Sequence, residues 1–218
     1  MVAIQWRIKM SNTRVILLFG TFNPFTMAHF HMALYLRSQF SDTDVIFVPS
    51  TDKFIMNWKK YSASDIWSGD VRVTLIEGAI ANIPDIFVSR IEIDRIVDGK
   101  TYNSVEYFKN IYDEVYICMG MDKLDELGKW YKADKLVSEN KFIMFTRNKE
   151  EFHVNDFIKP YVNNFITYTD KMGIYDGVSS TQVRKAYEED RLEEVRNILP
   201  VNVYEYLKES KCQCEIMS

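Results

Sequence analysis

Apolar residues fall in short runs along the chain, and the runs alternate with stretches whose apolar positions recur at helical spacing. The runs Arg14–Phe19, Val45–Val48, Ile86–Ile91, Glu114–Met119, Phe142–Thr146 and Phe165–Tyr168 are rich in Val, Ile and Phe and bounded by Gly, Pro, Ser or Asp. They predict buried strands, because a strand covered on both faces reads as a continuous apolar block. Helical spacing predicts helices near Ala28–Ser38, Gly69–Asn82, Ser104–Ile111, Leu124–Val137 and Val154–Tyr161, then a helical tail from Ser180 to Glu209. Strand alternating with helix implies βαβ units with right-handed crossovers, hence an α/β fold on a doubly wound parallel sheet. In the usual doubly wound order the first and fourth strands lie side by side where the order reverses, and ligands bind beyond their carboxyl ends. The loops after Phe19 and Met119 are therefore the ones to inspect for chemistry.

No internal repeat, low-complexity segment or long linker interrupts the pattern. Residues 1–12 read as a disordered leader, with Met10 a second candidate start. Residues 13–176 form the sheet-bearing domain, 177–209 a small helical C-terminal subdomain, and 210–218 a polar tail. A length of 218 residues, 47% of them hydrophobic and 27% charged, is enough to bury a core without staples. The net charge of −4 and pI near 5.5 exclude the basic face of a nucleic-acid binder but leave room for a local phosphate site. Cys118, Cys212 and Cys214 make no disulfide framework, which fits a reducing compartment. With no signal peptide and no apolar run near the roughly 20 residues that span a bilayer, the expectation is a soluble cytoplasmic protein with no membrane contact. Homo-oligomerisation is left open.

The loop after the first strand reads Phe19-Gly20-Thr21-Phe22-Asn23-Pro24-Phe25-Thr26-Met27-Ala28-His29. Gly20 permits a sharp turn and a close ligand approach, and Pro24 fixes the bend. Thr26 is placed to cap a helix carrying His29 in its first turn. Free N–H groups, the positive end of the helix dipole and an imidazole together make an anion site. No Gly-Lys-Ser/Thr follows, so this is not a Walker loop, and it is not the dinucleotide glycine fingerprint. Thr26 as a plain N-cap needs no function, and a lone histidine near a helix start is commonly a surface residue. His31, two positions on, cannot share a helix face with His29. Far downstream, Gly177-Val178-Ser179-Ser180-Thr181-Gln182-Val183-Arg184 reads as a capping box opening a second helix. Ser180 and Arg184 share a face there, bringing hydroxyls and a permanent fork of donors to a second helix N-terminus.

The first block resembles the Gly-x-Phe-[Asp/Asn]-Pro-x-[His/Thr]-x-Gly-His signature of the nucleotidylyltransferase superfamily, with Thr26 at the first His/Thr position and Ala28 in place of glycine. The second resembles the superfamily's Ile-Ser-Ser-Thr-x-x-Arg motif, with Val178 for isoleucine. The two stand about 155 residues apart in the expected order. Between them Gly120-Met121-Asp122-Lys123-Leu124, then Leu127, Trp130-Tyr131 and Leu136, resembles the Gly-x-Asp-x-Leu…Trp…Leu stretch of nicotinate-nucleotide adenylyltransferases. Glu92 and Thr101-Tyr102-Asn103-Ser104 sit, more loosely, where that family has Glu…Ser-Tyr-Thr. One departure stands out: where the family has Pro-Pro-His-Lys after the second strand, this chain has Pro49-Ser50-Thr51-Asp52-Lys53, then Asn57-Trp58-Lys59-Lys60.

The resemblance implies a Rossmann-like fold and transfer of AMP from ATP to a pyridine mononucleotide, nicotinate or nicotinamide, in NAD synthesis. It implies catalytic roles for Thr26, His29 and Arg184, with Gly20, Thr21, Phe22, Asn23, Ser179, Ser180, Thr181 and Arg184 holding ATP. Gly120, Asp122, Trp130, Tyr131 and Lys53 would hold the acceptor, the Trp130 ring stacking on the pyridine unless it serves as a core anchor. Mg²⁺ would ride on the phosphates with no dedicated protein ligands. A phosphopantetheine adenylyltransferase, a cytidylyltransferase and a non-catalytic nucleotide sensor share parts of this pattern. Phosphopantetheine enzymes are usually shorter, and the final motif of cytidylyltransferases usually departs from Ser-Ser-Thr-x-x-Arg.

Overall fold

The structure is a computed structural model that describes residues 12–59, 66–146, 151–169 and 177–216. The leader up to residue 11, Lys60 and the last two residues of the tail lie outside the described residues, as does the 176 end of the predicted sheet-bearing domain. Six strands, β1 (Arg14–Gly20), β2 (Thr43–Pro49), β3 (Ile86–Val88), β4 (Glu114–Gly120), β5 (Lys141–Thr146) and β6 (Phe165–Thr169), form one sheet in the order β3-β2-β1-β4-β5-β6. Every pairing is parallel. Of β1, Val15, Ile16 and Leu17 are fully buried, and β2 is buried throughout. That is the consequence of apolar blocks with no alternation, since helices cover both faces of the central strands.

The helices are α1 (Met27–Gln39), α2 (Asp52–Lys59), α3 (Gly69–Ile80), α4 (Thr101–Lys109), α5 (Ala133–Glu139), α6 (Ser180–Glu188) and α7 (Val201–Ile216). One core, with Ile16, Leu18, Val45 and Phe47 from the sheet, includes Val73 and Ile76 of α3, Val183 of α6 and Val203 and Leu207 of α7. The opposite face packs Val15, Leu17, Ile46 and Ile117 against Val105 and Phe108 of α4 and Leu136 and Val137 of α5. The C-terminal helices thus share the main core, and Asn202 donates to the Leu75 carbonyl across the α3–α7 seam at 2.8 Å. Among the described residues no helix is long and apolar enough to cross a membrane.

Four expectations need correction. The helix expected over Leu124–Val137 is a 3-10 segment, Met121–Lys129, followed by an extended Trp130, a left-handed Lys132 and then α5. Its buried residues Met121, Leu124 and Leu127 recur every third position, the period of a 3-10 helix and not of an α-helix. The expected Val154–Tyr161 helix is a turn leading into a second 3-10 segment, Lys159–Asn164, with Pro160 at its start. The strand expected over Ile86–Ile91 stops at Val88, where the chain turns through Arg90–Asp94. The helical tail is broken into α6, a 3-10 segment Leu192–Ile198, and α7, with Asp190 left-handed at the first break and Pro200 at the second. A helix not foreseen, α2, fills the segment after β2; Thr51 Oγ1 caps it by accepting from Phe54 N–H at 3.0 Å, and Ile55 is its fully buried anchor.

Candidate active site

β1 and β4 are neighbours, and the register pairing Leu18 with Cys118 brings both strands to a glycine, Gly20 and Gly120, at one level. Each glycine is covered by the side chain two residues later. A Cβ on Gly20 would lie 2.8 Å from the Phe22 ring, and one on Gly120 would lie 2.8 Å from Asp122 Oδ1. The spacings Gly-x-Phe and Gly-x-Asp therefore record packing over the strand ends at the switch point of the sheet.

Beyond Gly20 the chain folds tightly. Phe22 is left-handed (φ 49°) and Asn23–Pro24 is cis. Phe22 sits edge-on to Phe47 with ring centroids 5.3 Å apart. Thr26 caps α1, and its backbone N–H donates to His29 Nδ1 at 3.1 Å, with Thr26 Oγ1 2.9 Å from the same nitrogen. A ring nitrogen that accepts from a peptide N–H carries no proton, so the His29 proton sits on Nε2, away from the cap. Phe25 stacks on the imidazole at 5.6 Å and Phe22 meets it edge-on at 5.1 Å, which fixes the ring plane. Thr26 itself is fully buried, so its place in this arrangement is to position His29. His31 points elsewhere, toward Tyr35.

The second motif docks onto the first. Ser179 caps α6, accepting from Gln182 N–H at 3.2 Å. Ser180 Oγ donates to the Pro24 carbonyl at 2.8 Å, and Arg184 Nη1 donates to the Asn23 carbonyl at 2.7 Å. Arg184 Nη2 also donates to Thr181 Oγ1 at 3.0 Å. Segments more than 150 positions apart are thereby joined by two hydrogen bonds. The N-terminal turns of α6 thus meet the Asn23–Pro24 turn that leads from β1 into α1.

A buried arginine that motif reading missed holds this loop from behind. Arg72 of α3 is 1% exposed. Its guanidinium donates to the carbonyls of Trp67 (2.9 Å), Thr21 (2.6 Å) and Ser50 (2.7 Å) and to Asp52 Oδ1 (2.6 Å). Trp67 N–H in turn donates to the buried Asn23 side chain at 3.0 Å. Burial lowers the Arg72 pKa, and the Asp52 carboxylate opposes that shift. Asp52 uses its other oxygen to accept from Gly69 N–H at 3.2 Å.

The residues expected on the acceptor side come from the loops after β2, β3 and β4. Glu92 is buried and accepts from Ser104 Oγ at 2.8 Å; a Cβ on Gly99 would lie 3.7 Å from Glu92 Oε2 and 3.8 Å from Thr51 Oγ1, so these loops converge. Burial pushes the Glu92 carboxyl up to about 7, against the pull of the Ser104 hydroxyl and with a contribution from Asp98. Trp130 is half-buried against the second core and Tyr131 is exposed. Asp122 is exposed and pairs with Lys123 at 2.9 Å. Lys53 is exposed on α2 and makes no hydrogen bond or ion pair with any described residue. Of the two lysines that follow, the Lys59 side chain and Lys60 lie outside the described residues. Burial pushes the Cys118 thiol far up, which leaves it inert as a nucleophile. Among the described residues no group of three or more His, Cys, Asp or Glu side chains is placed to hold a metal ion.

Residues 17–186 match the cytidylyltransferase-like family. A probable nicotinate-nucleotide adenylyltransferase of Caldicellulosiruptor saccharolyticus is 30% identical over 193 residues, 86% of this chain and 92% of the relative. Its counterpart from Caldicellulosiruptor bescii is 29% identical over 198 residues, 89% and 96% of the two chains. Among solved structures, the Plasmodium falciparum nicotinic acid mononucleotide adenylyltransferase complexed with APC superposes with a TM-score of 0.71 at 19% identity, covering 92% of this chain and 96% of that one. The same enzyme complexed with NaAD gives 0.70. The likeness in fold covers about nine-tenths of this chain, and the relatives match most of its length. The chain belongs to the cytidylyltransferase-like family and, within it, to the nicotinate-nucleotide adenylyltransferases.

Proposed function

We propose that this protein transfers AMP from ATP to nicotinate mononucleotide, giving nicotinate adenine dinucleotide and pyrophosphate. The observation that carries the reading is the docking of Ser180 and Arg184 onto the Asn23–Pro24 turn, which leads into a helix whose first turn holds His29 through its Nδ1. A mononucleotide phosphate oxygen attacks the α-phosphorus of ATP, the bond from that phosphorus to the bridging oxygen breaks, and pyrophosphate leaves with the electron pair. The attacking group is already an anion, so the step calls for no strong base. It calls for two phosphates held in line and for donors where charge accumulates on the leaving group.

His29 Nε2–H serves the α- and β-phosphates, with Thr26 fixing the ring. Arg184 serves the β- and γ-phosphates together with the α6 N-terminus at Ser179–Thr181. The Gly20–Asn23 backbone lies along the nucleotide, with Gly20 allowing its close approach. Trp130 and Tyr131 wall the pyridine, and Gly120 and Asp122 stand at the rim. Mg²⁺ bound to ATP would neutralise part of the phosphate charge. Pyrophosphate release from MgATP, measured in parallel with nicotinate mononucleotide, nicotinamide mononucleotide and phosphopantetheine, tests the reading. Fast turnover with the nicotinate form and little with the others is expected. Turnover with phosphopantetheine alone, or ATP binding without pyrophosphate release in all three, would overturn it.

A further inference from the structure

Next to Trp130 the chain builds a small cationic rim on two tyrosines. The Tyr102 and Tyr131 rings meet edge-on at 6.3 Å. The Lys132 ammonium lies 4.5 Å from the Tyr102 centroid and 5.2 Å from that of Tyr131, and the Lys100 ammonium lies 4.4 Å from Tyr131. The two lysines differ in their electrostatic partners. Lys100 is paired with Asp98 at 2.8 Å, and Asp98 is held in turn by Asn103. Lys132 has no carboxylate partner among the described residues and rests on aromatic faces alone. Its backbone is left-handed (φ 52°, ψ 41°), at the bend between the 3-10 segment and α5. A side chain of this size adopts that conformation uncommonly. The bend aims Lys132 back over Tyr102, in the first turn of α4.

The rim lies at the carboxyl end of the sheet. Lys100 precedes α4 one residue after Gly99, whose Cβ direction meets Thr51 at the start of α2. Tyr131 adjoins the ring assigned to the pyridine. Aromatic faces stabilise an ammonium there without cancelling its charge, so with Asp98 balancing Lys100 the rim keeps a net positive charge. That charge distinguishes the two pyridine mononucleotides. The nicotinate ring carries a pyridinium nitrogen and a carboxylate, and an ammonium at its carboxylate edge is attractive. The nicotinamide ring carries the pyridinium charge alone, and the same ammonium repels it.

We propose that Lys132, backed by Lys100, is a specificity-determining residue that favours a pyridine nucleotide bearing a ring carboxylate over its carboxamide counterpart. The proposal rests on the reading that Trp130 and Tyr131 wall the acceptor. The experiment compares wild type, Lys132→Met, Lys132→Arg and Trp130→Ala in kcat/KM for nicotinate and nicotinamide mononucleotides, with ATP saturating, at two ionic strengths. Lys132 is exposed, so the variants are expected to fold, and a melting curve checks each. Lys132→Met is expected to lower the acid-to-amide ratio about tenfold, equivalent to about 1.4 kcal/mol. The loss should come through the KM of the acid and should shrink at high salt, as screening of an exposed charge requires. Lys132→Arg, which keeps the charge, should retain most of the ratio. A ratio unchanged in Lys132→Met, while Trp130→Ala still raises the acceptor KM, would overturn the proposal and leave the acceptor site standing. No effect of Trp130→Ala on either acceptor, or no wild-type turnover with either, would overturn the site and the proposal together.

Discussion

Replacing Glu92 by glutamine should change how stability depends on pH, with little effect on the shape of the fold. Glu92 is 2% exposed, held by Ser104, and carries a pKa raised from 4.5 to about 7 because burial disfavours its charged form. Below pH 4.5 the carboxyl is protonated in the folded and unfolded chains alike, and the residue contributes no pH dependence. Between 4.5 and about 7 the unfolded chain releases the proton while the folded chain retains it. The folded state then binds more protons, so stability falls as pH rises. At about 1.36 kcal/mol for each pH unit, the displacement from 4.5 to about 7 corresponds to about 3 kcal/mol, fully expressed above the folded pKa. Glutamine keeps the carbonyl that accepts from Ser104 and has no proton to lose. Urea unfolding of wild type and Glu92→Gln from pH 4 to 9 at fixed ionic strength isolates this contribution, since other titrating groups cancel in the difference. The variant should gain on the wild type steadily between about pH 4.5 and 7, then hold a constant advantage. Parallel profiles across that window would refute the argument and would mean that Glu92 titrates as it does in the unfolded chain.

Other expectations concern the site. His29→Ala should retain the fold and lower turnover by roughly 10²–10³, the usual effect of removing one donor to developing charge; an unimpaired variant in the pyrophosphate assay would remove His29 from the mechanism. Trp130→Ala should raise the KM of the pyridine nucleotide well above any change for ATP, whereas equal changes would point to a core anchor. Arg72→Met should destabilise the protein by about 3–5 kcal/mol, because it leaves three carbonyls and a carboxylate without their donor. A denaturation midpoint that stayed put would show that water replaces the guanidinium.

The apolar blocks were enough to read the strands, their parallel order and the loops that matter, because buried strands and switch points follow from period and topology alone. The docking of Ser180 and Arg184 on the Asn23–Pro24 turn had no local signal; only the resemblance of both ends to one superfamily pointed there. Arg72 was legible in principle. It shares a stripe with Gly69, Val73, Ile76 and Ile80 of α3, all buried, but a lone arginine in a helix reads as a solvated residue. The start of the helix expected over Leu124–Val137 belongs to a 3-10 segment, whose period of three is hard to separate from 3.6 over so few turns. Lys132 carried no signal either, since its interest lies in a left-handed bend and in a tyrosine about thirty positions upstream.

Asp52 bears on why this chain tolerates an unusual segment after β2. One carboxylate ties the first residue of α2 to Arg72 and, through its second oxygen, to the first residue of α3. The stretch between residues 52 and 69 therefore begins and ends on the same side chain, and its closure is decided by the scaffold and not by its own composition. Loop-closure entropy grows slowly with length, about 0.6 kcal/mol for each doubling. A stretch whose two ends are fixed on one clasp can accordingly vary in length between them at little entropic cost, provided that Trp67, whose N–H meets the Asn23 side chain, is kept.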